Sequence, residues 1–263
     1  MFANNRKSIS VRIALAVALL IGGFMVTPVH ASTVVHYVKQ SATGANNGTS
    51  WSDAYTDLQS ALSAASSGDE IWVAAGTYKP TTGTDQTISF VLKNGVAIYG
   101  GFAGTETLRT QRNPSTNLTI LSGDIGVAED NSDNSYHVMM SSGVDTTTKL
   151  DGFTITGGNA NGSTDGPLEN RSGGGMYNAD GSKPLLTSIT FSGNFAGSGA
   201  GMLNNTSDPI LTKVTFDSNI SSLGGGGMYN YLSSPTLTNV TFKDNSAAEE
   251  GGGMVTMEVQ VHL

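Results

Sequence analysis

A methionine framed by glycines returns every 26 residues through the second half of this chain. That interval constrains the fold more than any other feature. Gly173–Asn178 reads GGGMYN, Gly199–Asn204 GAGMLN, Gly225–Asn230 GGGMYN and Gly251–Thr256 GGGMVT, with Met176, Met202, Met228 and Met254 at the period. Between them lie Pro184–Phe191 (PLLTSITF), Pro209–Phe216 (PILTKVTF) and Pro235–Phe242 (PTLTNVTF). Each Phe is followed three residues later by Asn, at Asn194, Asn219 and Asn245. The spacing between Met and Phe varies by one residue and then compensates. A period that survives local slippage marks a solenoid, in which each turn sits above the last.

Two solenoids compete. The order Leu186, Ile189, Phe191, Asn194 fits a leucine-rich repeat. The return segment, however, is Gly-rich and carries a second strand core, Met-Tyr-Asn, which favours a parallel β-helix. The step of three between Leu186 and Ile189 breaks the two-residue period of a strand, so a corner there lets both side chains point inward. Equivalent residues then stack about 4.8 Å apart. The expected internal columns are Phe191/Phe216/Phe242, Met176/Met202/Met228 and Ile189/Val214/Val240. Asn178/Asn204/Asn230 and Asn194/Asn219/Asn245 are expected amide ladders, with Thr190, Thr215 and Thr241 facing outward.

Upstream, Ala54, Leu58, Ala61, Leu62 and Ala65 predict one amphipathic helix of about 14 residues, capped by Ser52 and ended by Gly68. Short β-rich pieces follow at Ile71–Val73, Ile88–Leu92, Val96–Tyr99, Leu118–Leu121, His137–Met140 and Phe153–Thr156. A further one precedes the helix at Thr33–Val38. Composition agrees: 34 Gly disfavour a helical protein, and zero Cys excludes disulfides and Cys-ligated metals.

The first residues read as an address. Arg6, Lys7 and Arg12 precede an apolar run from Ile13 to Val26, and Val29-His30-Ala31 supplies the small-residue cleavage pattern of a secretory signal. The run is short for an N-terminal anchor helix, the alternative reading. Without residues 1–31 the chain carries ten Lys/Arg against 21 Asp/Glu, a net charge of −11. Nucleic acid is therefore excluded as a partner class, and the mature chain is not expected to span a membrane. The organisation expected is a signal peptide over residues 1–31, an N-terminal strand, loop and capping helix over 32–68, and a β-helix over 69–263. After Met254 the repeat predicts Pro near position 261, yet the chain runs Val255–Leu263 without it. The β-helix is accordingly expected to be incomplete, the product of a truncated or frame-shifted longer surface protein.

FSGN (Phe191–Asn194), FDSN (Phe216–Asn219) and FKDN (Phe242–Asn245), alternating with GGGM, resemble the FxxN and GGA-type repeats of polymorphic outer-membrane proteins. Here Gly-Met replaces the Ala-aliphatic pair of that pattern. Trp51–Leu62 with Gly68–Tyr78 resembles the opening of pectate-lyase-type β-helices, in which a helix caps the first coil. Together the resemblance covers most of Val34–Met254. It implies an all-β, right-handed parallel β-helix with one N-terminal capping α-helix, and a secreted or cell-surface location, at the outer membrane or outside the cell. It does not imply one chemistry, because this fold hosts both enzymes and adhesins.

Polysaccharide lyases of this fold use an Asp-bound Ca²⁺ and a basic residue, but none of their motifs maps onto this chain. The one oxygen-rich segment is the acidic loop of Asp124, Glu129, Asp130 and Asp133, a weak Ca²⁺ candidate that otherwise reads as a solvated insertion. Arg109, Arg112 and Arg171 are the only arginines after residue 31. His137 reads as a core histidine, with no carboxylate placed to make it a general base. Tyr55, Trp72, Tyr78, Tyr99 and Tyr177 are either sugar-stacking or packing residues. The expected function is non-catalytic adhesion, through binding of a polysaccharide or of a host or neighbouring cell surface. The alternative is a Ca²⁺-dependent polysaccharide lyase or another carbohydrate-active enzyme, such as a glycoside hydrolase.

Overall fold

The computed structural model describes residues 33–258 apart from 164 and 168. The expected signal peptide lies outside the described residues, as do residues 259–263. The protein is a right-handed parallel β-helix whose strands form four all-parallel sheets of seven, six, six and four strands. One turn runs through Lys149–Asp151, Thr154–Thr156, Asn159–Ala160 and Met176–Ala179 before Leu185–Thr187 returns above the start.

The seven-stranded sheet opens with Val35–Val38, Glu70–Ala74 and Ala97–Phe102, and ends with Leu185–Thr187, Ile210–Thr212 and Thr236–Thr238. Its inward column runs His36, Ile71, Ile98, Leu150, Leu186, Leu211 and Leu237 in unbroken register. The second sheet carries Phe191, Phe216 and Phe242, whose rings stack at 5.0 Å between centroids and within 7° of parallel. The third places Met139, Met176, Met202, Met228 and Met254 in one column. Met139 extends this column beyond the strict repeat, because the insertion between Ala160 and Gly173 breaks the period but not the stacking. The fourth, short sheet joins Phe195–Ser198, Ile220–Gly224 and Ser246–Ala247 to Asn159–Ala160.

The corner between Leu186 and Ile189 is present. Ser188, Lys213 and Asn239 adopt φ of 50°, 55° and 54°, and at the first two the side chains on both sides of the corner, Leu186 and Ile189, Leu211 and Val214, are buried in the core. The equivalent position one rung earlier is Gly152, at φ +86°. Both amide ladders form: Asn178 donates to Asn204 and Asn204 to Asn230, each at 2.8 Å, while Asn194 donates to Asn219 and Asn219 to Asn245, each at 2.9 Å. These buried amides satisfy one another where water cannot reach.

The helix is shorter than its apolar pattern predicts, covering Leu58–Ala64, with Asp57 rather than Ser52 as N-cap. Asp57 accepts from the Ser60 N–H at 2.8 Å. Residues before it are claimed by the first strand: the Lys39 N–H donates to the Tyr55 carbonyl and the Tyr55 N–H to the Tyr37 carbonyl. Leu58, Ala61 and Leu62 bury against Val38 and Ile71, so the helix covers the first coil.

Candidate functional site

Outward columns of the seven-stranded sheet carry the chemistry. One runs Trp72, Tyr99, Asp151, Thr187 and Thr212; its neighbour runs Glu70, Ala97, Lys149, Leu185 and Ile210. The segment 103–117 leaves the sheet after Phe102 and folds back over this face. Its shape is fixed by internal acceptors. The Glu106 carboxylate accepts from the N–H groups of Ala103, Gly104 and Thr105 at 2.6, 3.0 and 2.9 Å. Burial pushes that carboxyl's pKa up, but the N–H donors outweigh it and hold it below the ordinary range. Trp51 donates its indole N–H to the Glu106 carbonyl at 2.8 Å, and the Gln111 side chain accepts from Thr107 and Leu108.

This frame delivers two arginines. Arg109 forms an ion pair with Glu70 and lies 4.6 Å over the Tyr99 ring, donating to the Tyr99 hydroxyl at 3.2 Å. Arg112 donates to Asp151 Oδ2 at 2.6 Å and to the carbonyls of Gly100 and Asp151, with its guanidinium 5.3 Å from the same ring. Burial pushes the Tyr99 phenol up, with Arg109 opposing, so Tyr99 stays a neutral hydrogen-bonding group. A Cβ at Gly152 would meet Arg112 Nη1 at 2.7 Å, and one at Gly101 would meet the Pro114 ring at 2.6 Å. Glycine at these two positions is what lets the segment lie so close to the sheet.

A cavity of about 370 Å³ lies between the segment and the sheet, lined by Tyr99, Arg109, Arg112, Lys149, Asp151 and Leu185. Two further hollows of about 310 Å³ each adjoin it in a groove, one sharing Arg109 and Arg112 with it, the other sharing Pro114 with the first and reaching Ser188 and Lys213. Along this groove stand four cations, Arg109, Arg112, Lys149 and Lys213, against two carboxylates, Glu70 and Asp151. The local balance is positive in a strongly acidic chain. Both lysines are exposed, and neither forms an ion pair among the described residues. Asp151 Oδ1 is buried from solvent and has no hydrogen-bond partner. Cations and a phenol along one face suit an extended, hydroxyl-rich anion.

The four carboxylates of the acidic loop are not brought together. Asp124 pairs with Lys79 at 3.5 Å and accepts from the Glu129 N–H. Asp130 caps the short turn Asn131–Asp133 by accepting from the Ser132 N–H at 2.9 Å, and Asp133 accepts from the Val127 N–H at 2.7 Å. Glu129 is exposed at φ 67°. Each organises its own loop, and among the described residues no three His, Cys, Asp or Glu converge as a ligand set. His137 is buried against the Gly173 carbonyl, and Arg171 is not part of the groove. Trp72 and Tyr78 are buried, and Tyr99 lies under arginines, so none offers a free ring face; Tyr177 is half-buried on an outer face.

The repeat did not point to the groove, because Glu70, Tyr99 and Asp151 lie in rungs before it. The only signal was the scarcity of arginine, which made Arg109 and Arg112 stand out.

A family model described as "Protein of unknown function (DUF1565)" matches residues 41–247. No curated protein gives a significant match to the sequence. Among solved structures, a rhamnogalacturonan lyase is similar with a TM-score of 0.36 and 13% identity, over 82% of this chain and 62% of that one. The chain thus spans less than two thirds of that protein's length, and a likeness of this degree carries no argument about activity.

Proposed function

The chain belongs to the DUF1565 family of proteins of unknown function, and within it we propose a secreted or surface-displayed, non-catalytic β-helix that binds an acidic polysaccharide. The observation that carries this reading is the gathering of four of the ten Lys and Arg residues beyond position 31 along one groove. Lys149, Lys213 and the exposed edge of Arg109 meet successive carboxylates of the polymer. The Tyr99 hydroxyl at the cavity wall meets its hydroxyl groups. Each exposed charge contributes little alone, about 0–1 kcal/mol, and affinity comes from repeating the contact along one chain.

Affinity electrophoresis through polygalacturonate, alginate and neutral dextran tests the proposal. Retardation is expected in the anionic gels alone, weakening as salt is raised. The double variant Lys149→Glu/Lys213→Glu should lose at least about tenfold in affinity with its fold intact. Equal mobility in all three gels at low salt would sink the reading. An ultraviolet-absorbing unsaturated product accumulating from polygalacturonate would replace it with the lyase.

A further inference from the structure

The outer face of the methionine sheet carries a second constellation, with no part in the groove. Its outward column runs Met140, Tyr177, Leu203, Tyr229 and Val255 in adjacent register. The two tyrosines therefore stand two rungs apart, about 9.6 Å at the interstrand spacing, which is close to the length of a disaccharide. Asn205 and Tyr231 form the parallel column two residues further along each strand. The Tyr177 hydroxyl accepts from Asn205 Nδ2 at 3.1 Å, and the Tyr229 hydroxyl contacts the Met257 sulfur. Both phenols thus lean along the helix axis over the following rung instead of standing away from the sheet.

The result is a depression of about 270 Å³ whose apolar lining is Tyr177, Leu203, Tyr229 and Tyr231 and whose polar lining is Ser172, Ser198 and Asn205. No charged residue lines it. The adjacent carboxylate of Glu250 joins burial in raising the Tyr229 phenol above its ordinary value, a field that disfavours anions here. Rings that offer apolar contact beside hydroxyl and amide groups match the two surfaces of a pyranose: apolar C–H faces and an equatorial rim of hydroxyls.

We propose that this depression is a binding site for neutral β-linked oligosaccharides, with Tyr177, Tyr229 and Tyr231 as stacking platforms and Ser172, Ser198 and Asn205 as hydroxyl partners. It lies on a different sheet from the cationic groove and stands or falls independently of it.

Calorimetric titration of the full chain with cellohexaose, xylohexaose and mannohexaose tests the site, with a galacturonate hexamer as anionic control. At least one neutral oligosaccharide is expected to bind in the millimolar range or tighter. Tyr229→Ala and Tyr231→Ala should each weaken that binding by up to about tenfold. Tyr231→Phe, which keeps the ring, should stay within about twofold of the parent, and Lys149→Glu/Lys213→Glu should leave neutral-sugar binding unchanged. Tyr231 is 44% exposed, so its removal leaves the core packing untouched. The proposal is overturned if none of the three neutral oligosaccharides binds, if both tyrosine-to-alanine variants bind as the parent does, or if the lysine variant abolishes the binding. Failure with the neutral sugars alongside binding of the galacturonate control would remove this site and leave the groove standing.

Discussion

His137 carries its ring proton on Nδ1, because the partner at 3.0 Å is the Gly173 carbonyl, which can only accept. Nε2 is left bare in the interior with no hydrogen-bond partner, and the imidazole and Tyr177 rings lie 5.4 Å apart between centroids. Burial pushes the imidazole pKa below its ordinary value, although the Gly173 carbonyl and the charge of Glu169 pull the other way. In the unfolded chain the same residue takes up a proton below about pH 6.5. The unfolded state then binds more protons than the folded one, so stability falls as pH drops from about 6.5 toward the depressed folded value. The slope from this residue is at most about 1.4 kcal/mol per pH unit. Urea unfolding at pH 7 and pH 5 should show a lower midpoint at pH 5, and His137→Gln should remove that part of the loss. Identical pH dependence in both proteins would contradict the role. The sequence marks His137 as a core residue through its apolar neighbours, but which nitrogen is satisfied depends on a turn 36 residues away.

Among elements, the amide ladders hold what glycine-rich corners cannot hold by packing. Asn204 is fully buried, accepting from Asn178 and donating to Asn230. Asn204→Leu keeps the volume but strands a donor above and an acceptor below. At about 1–3 kcal/mol for each unsatisfied group, a loss of about 2–6 kcal/mol in chemical denaturation is expected. Asn205→Leu, half-buried on the outer face, should stay within about 1 kcal/mol. A small loss at Asn204 would mean the corner is held by something other than the ladder. These columns were legible in the sequence because every rung repeats the same residue at the same place. The short fourth sheet was not: Phe195–Ser198, Ile220–Gly224 and Ser246–Ala247 share no residue pattern, since most of their side chains are not packed in the core. The helix is shorter than its apolar spacing, which persists through Ala54, because backbone pairing of Tyr55 with the first strand takes precedence. The groove was invisible for a related reason. Its partners come from rungs of unequal length and from an insertion whose fold-back depends on Gly101 and Gly152, and no periodicity records such a contact.

At the scale of the whole molecule, each rung touches only the rungs above and below, so stability is distributed along one axis. Leu150, Leu186 and Leu211 are fully buried, whereas Thr236, Leu237 and Thr238 in the next rung are exposed. Amide exchange should therefore be slowest through Lys149–Thr212 and accelerate progressively through Thr236–Met257, resolved peptide by peptide by mass spectrometry. One common rate across all rungs would instead mean that the solenoid opens as a single cooperative unit.

The corner column of Gly152, Ser188, Lys213 and Asn239 has a further consequence. Gly152 is fixed by the segment folded over it, but beyond it the backbone is held by the rungs on either side, so the outward residue differs from rung to rung at Ser188, Lys213 and Asn239. One of them supplies a cation of the groove. Duplicating one 26-residue unit would lengthen the surface by about 4.8 Å and repeat the same kind of rung-to-rung contact. The reach of such a surface is therefore counted in whole rungs, and its chemistry is written one corner at a time.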